Sequence, residues 1–151
     1  MSKTLSDIAT PIVVTASPET TSAQAARLMR QHHVGSLIVV DQQSASGKPL
    51  GILTDRDLVL AVMAEELDPA LFTVGDVMST DLVTADGGCD VRDAVRLLCE
   101  HRLRRLIVLD DAGRVVGVAA LEDLLEALSA EFSELVLALR GARDRERAQR
   151  R

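Results

Sequence analysis

Gly51-Ile52-Leu53-Thr54-Asp55-Arg56-Asp57-Leu58 is the stretch that decides the fold, because a related stretch recurs as Gly117-Val118-Ala119-Ala120-Leu121-Glu122-Asp123-Leu124. The two stretches are offset by 66 positions and share the glycine and the final Asp-Leu pair. Upstream of them, residues 5–41 align without a gap with residues 74–110 at an offset of 69. The offset falls from 69 to 66 because the loop between these regions is three residues longer in the first copy. Chance does not keep one register over such a length, so the chain contains an internal duplication.

Each copy is predicted to contain a short strand, a helix, two strands and a second helix. In the first copy these elements are a strand at 12–15, a helix opened by a Thr21/Gln24 capping box, strands Ser36–Val40 and Pro49–Thr54, and a helix begun by Thr54 and Asp57. In the second copy they include a helix capped by Asp90 and strands at Arg105–Leu109 and 115–119. One copy of about 60 residues buries too little surface to be stable alone. We therefore expect an α/β (α+β) fold in which two β-α-β-β-α repeats pack sheet to sheet about a pseudo-twofold axis.

Composition excludes several classes of function. The net charge is −6, Trp and Tyr are absent, and Phe72 and Phe132 are the only aromatic residues, which argues against nucleic-acid binding by field or by stacking. The first residues lack the apolar stretch of a signal peptide, and no run approaches the 18 or so apolar residues of a membrane span, so we expect a cytoplasmic protein without a membrane partner.

Catalytic and metal-binding patterns are also absent from the sequence. There is no phosphate-binding P-loop, no nucleophile elbow and no paired acid and base. The adjacent His32 and His33 are typical of a helix C-terminus, and Cys89 and Cys99 lack the spacing of metal ligands. The sequence therefore predicts no enzyme, no metal site and no required cofactor.

The repeat pattern resembles the cystathionine-β-synthase (CBS) domain, which occurs as tandem pairs called Bateman modules. The resemblance covers residues 5–130 and rests on the two stretches quoted above, on Asp7-Ile8-Ala9 and Asp76-Val77-Met78, and on the stretch 101–108. The sequence Thr-Asp-Arg-Asp at 54–57 is similar to that of free-standing bacterial pairs. We therefore divide the chain into repeat 1 (1–67) and repeat 2 (68–130), followed by a helix extension (131–141) and an arginine-rich flexible tail (142–151) that lie beyond the resemblance.

What the resemblance implies is a non-catalytic sensor that binds an adenosine nucleotide (AMP, ADP or ATP) in a cleft between the repeats and acts on an unknown protein target. Asp57 would hold the ribose hydroxyls, Thr54 would lie near ribose or phosphate, and Arg104 and Arg105 could reach a phosphate. The expected ligand-binding residues are Thr15, Thr54, Arg56, Asp57, Thr84, Arg104, Arg105 and Asp123. In repeat 2, Ala120 replaces Thr54, which predicts a weaker or vacant second cleft.

Structural roles explain the same residues equally well. Thr54 and Asp57 have the spacing of a helix N-cap and its N3 carboxylate, and the two arginines could be solvated surface groups. A ligand-free dimerisation or protein-interaction module is therefore the alternative to a nucleotide sensor.

The last helix carries an apolar stripe that extends beyond repeat 2. The stripe steps by three and four residues through Leu121, Leu124, Leu125, Leu128, Phe132, Leu135, Val136 and Leu139. Its second half either packs back on the same module or forms a dimer contact, and we favour a homodimer because an exposed apolar stripe is a liability. Gly141 predicts the end of the helix, followed by a mobile tail from Ala142.

Overall fold

The computed structural model describes residues 3–11, 14–43 and 47–150, which form a mixed α/β structure. The helices are α1 (Leu5–Ile8), α2 (Ser22–His32), α3 (Asp55–Leu58), α4 (Val74–Val77), α5 (Val91–His101) and α6 (Leu121–Gln149). The strands are β1 (Thr10–Pro11), β2 (Thr15–Ala16), β3 (Ser36–Val40), β4 (Pro49–Thr54), β5 (Thr84–Asp86), β6 (Arg105–Leu109) and β7 (Val115–Ala120). A π-helical turn, Val59–Met63, extends α3. The predicted repeat order is confirmed.

Two sheets, one for each repeat, exchange short segments at their edges. The first sheet has the order β2-β3-β4 and the second β1-β7-β6-β5. Although β1 belongs to repeat 1, it pairs antiparallel with β7 of repeat 2, with Thr10 opposite Val118. Reciprocally, Ser79 of repeat 2 exchanges two backbone hydrogen bonds of 2.9 Å with Ile52 of β4. This exchange joins the repeats about the approximate twofold axis that the duplication predicts.

The shared glycine of the two repeats makes this exchange sterically possible. A Cβ atom at Gly51 would lie 2.9 Å from the carbonyl oxygen of Ser79, and one at Gly117 would lie 2.9 Å from that of Thr10. Cβ atoms do not approach backbone oxygens so closely, so both positions require glycine. The glycine that the two repeats share in the sequence thus lies where the backbone of one repeat contacts a strand of the other.

The two repeats together form two apolar cores, and the helix caps are as predicted. The first core includes Leu37 and Leu53, and the second includes Leu98 and Leu106, all fully buried. Thr21 caps α2 through its box with Gln24, and the Asp90 side chain accepts from the Arg92 N–H at the start of α5. Of the predicted strand at 12–15, Thr15 lies in β2, whereas residues 12 and 13 fall outside the described residues.

The predicted end of the last helix at Gly141 is wrong, because α6 continues to Gln149. A single glycine costs a helix only about 1 kcal/mol relative to alanine. The residues after it are mostly Ala, Arg and Glu, and Glu146 and Arg150 have the i,i+4 spacing that supports a helix. The 29 residues of α6 are about 43 Å long, so the helix projects far beyond repeat 2. In the parts of the chain that the structure describes, no helix is both long and apolar enough to cross a membrane.

Candidate functional site

The first candidate site, here called the Asp57 cleft, lies between the two repeats. It has a volume of about 180 Å³, and repeat 1 contributes Thr54 and Asp57 from the junction of β4 and α3. Repeat 2 contributes Arg104 and Arg105, which lie at the start of β6. Four of the residues that the sequence singled out as candidate ligand-binding residues therefore line one cleft.

Thr54 and Asp57 form the capping box that their spacing predicts. The Asp57 N–H donates to Thr54 Oγ1 over 3.1 Å, and the Thr54 N–H donates to Asp57 Oδ2 over 2.9 Å. Both residues are only half-buried, and Asp57 Oδ1 takes no part in the box. Because only one carboxylate oxygen is used by the box, the structural role and a ligand role are compatible at Asp57.

A second cavity, here called the arginine cleft, adjoins the Asp57 cleft and has a volume of about 340 Å³. Its lining shares Thr54, Arg104 and Arg105 with the Asp57 cleft and adds Asp55, Arg56 and Glu122. Three arginines therefore line the arginine cleft, and two of them also line the Asp57 cleft. Such a cluster suits an anionic group, since each guanidinium offers several N–H donors.

Glu122 at the start of α6 binds one of these arginines. Arg104 Nη2 donates a charge-assisted hydrogen bond to Glu122 Oε1, and the Arg104 carbonyl accepts from the Leu121 N–H over 2.9 Å. Its own backbone N–H and the Arg104 guanidinium hold the pKa of Glu122 below its ordinary value. Glu122 is therefore a carboxylate at neutral pH and neutralises part of the charge of the arginine cleft.

The second candidate site, here called the Asp123 cleft, is the symmetry equivalent of the Asp57 cleft. It has a volume of about 360 Å³ and is lined by His32, Gly35, Ser36, Ala120 and Asp123, among others. Gly35 and Ser36 correspond to Arg104 and Arg105, so this cleft lacks the two arginines of its counterpart. Ala120 provides no side-chain cap to α6. The two clefts thus share a carboxylate and differ in the two arginines and in the threonine that Ala120 replaces.

The remaining predicted residues are divided among these cavities. Arg56 lines the arginine cleft and Asp123 the Asp123 cleft. Thr15 and Thr84 lie exposed in β2 and β5 and line none of the three. Sequence reasoning missed that four further residues line these clefts: Ser79, Asp81, Glu122 and His32. It had considered His32 only as a residue of a helix C-terminus. The sequence contained a signal for Glu122, because the alignment of the two repeats pairs it with Arg56, one of the predicted ligand-binding residues.

Comparison with known proteins places both repeats in one family. Residues 5–64 and 74–130 each match the CBS domain. A CBS domain-containing protein of Bacillus subtilis is 42% identical over 118 residues, which cover 78% of this chain and 80% of that protein. An uncharacterized protein of Methanopyrus kandleri is 33% identical over 125 residues, and the match spans 83% of this chain but only 62% of that relative.

A solved structure shares the fold and carries a ligand. The crystal structure of CBSX2 in complex with AMP superposes with a TM-score of 0.65 at 26% identity, covering 85% of this chain and 97% of that one. Three observations agree with one another: both repeats match the family, the sheets exchange edges, and the fold is like that of a solved structure. The chain belongs to the CBS domain family and contains two CBS repeats.

Proposed function

We propose that the protein is a regulatory module that binds an adenosine nucleotide in the Asp57 cleft. The observation that carries the proposal is the meeting of Asp57 from repeat 1 with Arg104 and Arg105 from repeat 2 in one cavity. The AMP complex of CBSX2 supports it, since that protein is similar over most of this chain.

The chemistry of the lining matches the two polar parts of such a ligand. Asp57 Oδ1, which is outside the capping box, is available to accept from a ribose hydroxyl. The arginines are available to donate to a phosphate through charge-assisted hydrogen bonds. The Asp123 cleft has the carboxylate without the arginines, so we propose that it is the weaker site for a phosphorylated ligand.

Binding between the repeats also offers a means of transmitting occupancy to a partner. A ligand shifts a conformational equilibrium only when it binds one arrangement better than another. A nucleotide that contacts Asp57 and Arg104 together favours the arrangement in which the two repeats hold these residues close. A protein partner that binds the same arrangement is then favoured by the ligand.

Isothermal titration calorimetry with adenosine, AMP, ADP and ATP tests the proposed function. We expect at least one of the phosphorylated ligands to bind more tightly than adenosine, because only these reach the arginines. A freshly purified sample also provides a check, since a chain without Trp and Tyr absorbs little at 280 nm, and a band near 260 nm reveals a bound nucleotide. Absence of binding by all four ligands, with no nucleotide in the purified sample, would exclude the proposal.

Thr54→Ala separates helix capping from ligand binding. We expect it to lower the free energy of unfolding by about 1 kcal/mol, as loss of an N-cap does, and also to reduce the thermal stabilisation produced by the nucleotide. Thr21→Ala is the matched control, because Thr21 forms the same capping box on α2 and lies in none of the three clefts. Melting temperatures with and without nucleotide give both effects. If the two variants show the same ligand-induced shift, Thr54 has only a capping role.

The exposed stripe of α6 favours a second property, self-association. The sequence left two alternatives for the second half of the stripe, packing on its own module or a dimer contact. Residues 132–139 do not pack on their own module, since Phe132, Leu135 and Leu139 are 68%, 56% and 67% exposed. Apolar side chains at this spacing on a projecting helix suit a second copy of the same helix. We therefore propose a homodimer through the second half of α6, a property that is compatible with the nucleotide sensor and also stands without it.

A further inference from the structure

The contact between Arg104 and Glu122 lies in the arginine cleft, beside the residues that the proposed function assigns to the phosphate of the ligand. Glu122 lines the arginine cleft together with Arg56, Arg104 and Arg105, and its carboxylate accepts from the Arg104 guanidinium. A carboxylate and a phosphate compete for the same N–H donors of a guanidinium. With Glu122 bound, Arg104 has fewer donors to offer to a phosphate.

We propose that Glu122 is an internal competitor for the phosphate chain of the ligand, so that a phosphorylated nucleotide binds only by displacing the Glu122 carboxylate from Arg104. This inference rests on the proposed function and adds the residue that sets the affinity for phosphate. The ribose end of the ligand would be held at Asp57, and its phosphates would extend into the arginine cleft.

The charges around the arginine cleft determine how strongly Glu122 acts. Three arginines face two carboxylates there, Asp55 and Glu122, and the adjoining Asp57 cleft adds Asp57 and Asp81. Asp55 already accepts from the Arg56 N–H, and Asp57 is used by the capping box. Removal of the Glu122 charge therefore weakens the contact that holds one guanidinium and also removes a repulsion on the incoming phosphate.

The position of Glu122 within the repeat supports a role specific to this cleft. The equivalent residue in repeat 1 is Arg56, and the equivalent of Arg104 is Gly35. The pair therefore has no counterpart in the Asp123 cleft. A competitor is present only beside the cleft that has the arginines.

Glu122→Gln is the test, because glutamine keeps the size of the side chain and loses its charge. The Arg104 and Glu122 side chains are 77% and 55% exposed, so the ion pair is weak and the substitution leaves folding intact. We expect Glu122→Gln to tighten ATP and ADP binding by about two- to fivefold, the range of an exposed ion pair, and to leave adenosine binding unchanged. Inorganic tripolyphosphate is a probe of the phosphate chain alone and is expected to show the same gain.

Two controls isolate the proposed contact. Glu126→Gln removes the same charge from an exposed position one turn further along α6, outside the arginine cleft, and is expected to leave ATP affinity unchanged. Glu122→Gln in an Arg104→Ala background is expected to give no gain, because the competition is for that guanidinium.

The outcomes distinguish this inference from the proposed function. If the wild type and Glu122→Gln bind ATP with the same affinity, and also bind tripolyphosphate with the same affinity, the inference is overturned while nucleotide binding remains in place. A gain of the same size in Glu126→Gln, or one that persists without Arg104, overturns it as well. Tighter tripolyphosphate binding by Glu122→Gln in a protein that binds neither adenosine nor AMP, ADP or ATP supports the competitor and excludes the nucleotide.

Discussion

Replacement of Asp57 by alanine is expected to weaken adenosine-nucleotide binding by about 2 kcal/mol, or roughly thirtyfold in the dissociation constant, the scale of losing a charged hydrogen-bonding group. The reason is that Asp57 is the carboxylate of repeat 1 in the cleft that also contains Arg104 and Arg105. Isothermal titration calorimetry with the nucleotide that binds the wild type measures the effect.

Two further variants control for the capping role of Asp57. Asp57→Asn keeps an oxygen that can accept from the Thr54 N–H and loses the charge. Compared with Asp57→Ala, it is therefore expected to regain most of the folding stability but little of the nucleotide affinity. Asp123→Ala changes the equivalent residue of the cleft without arginines and is expected to have a smaller effect. Wild-type affinity in Asp57→Ala would remove this residue from the binding site.

The second large effect is expected from Leu135→Glu combined with Leu139→Glu, which should convert a homodimer into a monomer. Both side chains are exposed on one face of the projecting half of α6. In a dimer joined through this face, each new carboxylate would be buried without a partner, at a cost of about 3 kcal/mol or more. Sedimentation equilibrium at micromolar concentration measures the change.

A charge-matched control uses the opposite face of the same helix. Ala130→Glu combined with Ser133→Glu adds the same two charges at exposed positions and is expected to leave the dimer intact. A dimer that survives Leu135→Glu with Leu139→Glu would place the contact elsewhere, and a monomeric wild type would exclude self-association through α6.

Helix α6 shows where a local sequence signal is overruled. Gly141 is a reasonable stop signal by itself, yet α6 passes through it and ends at Gln149. The glycine penalty of about 1 kcal/mol is small beside the helix propensity of the Ala, Arg and Glu residues on either side. A stop signal predicts a helix end only when the sequence after it also disfavours helix.

The sequence by itself determined the repeat, the order of strands and helices, and the capping boxes at Thr21 and Thr54. The caps and the order of the elements depend on residues close together in the chain, and the repeat is a match of the chain with itself, so a sequence displays all of them directly. The repeat also places Ala120 at the position of Thr54, and in the structure Ala120 gives α6 no side-chain cap.

Only the tertiary structure decided which residues share a cavity. The exchange of β1 onto β7, and of Ser79 onto Ile52, brings Thr54 and Asp57 of repeat 1 against Arg104 and Arg105 of repeat 2. The same arrangement leaves Thr15 and Thr84 outside and places Glu122 on Arg104. Thr54 and Asp57 meet arginines that lie 47 to 51 positions away because of how the two sheets pack, and no local pattern in the chain encodes that contact.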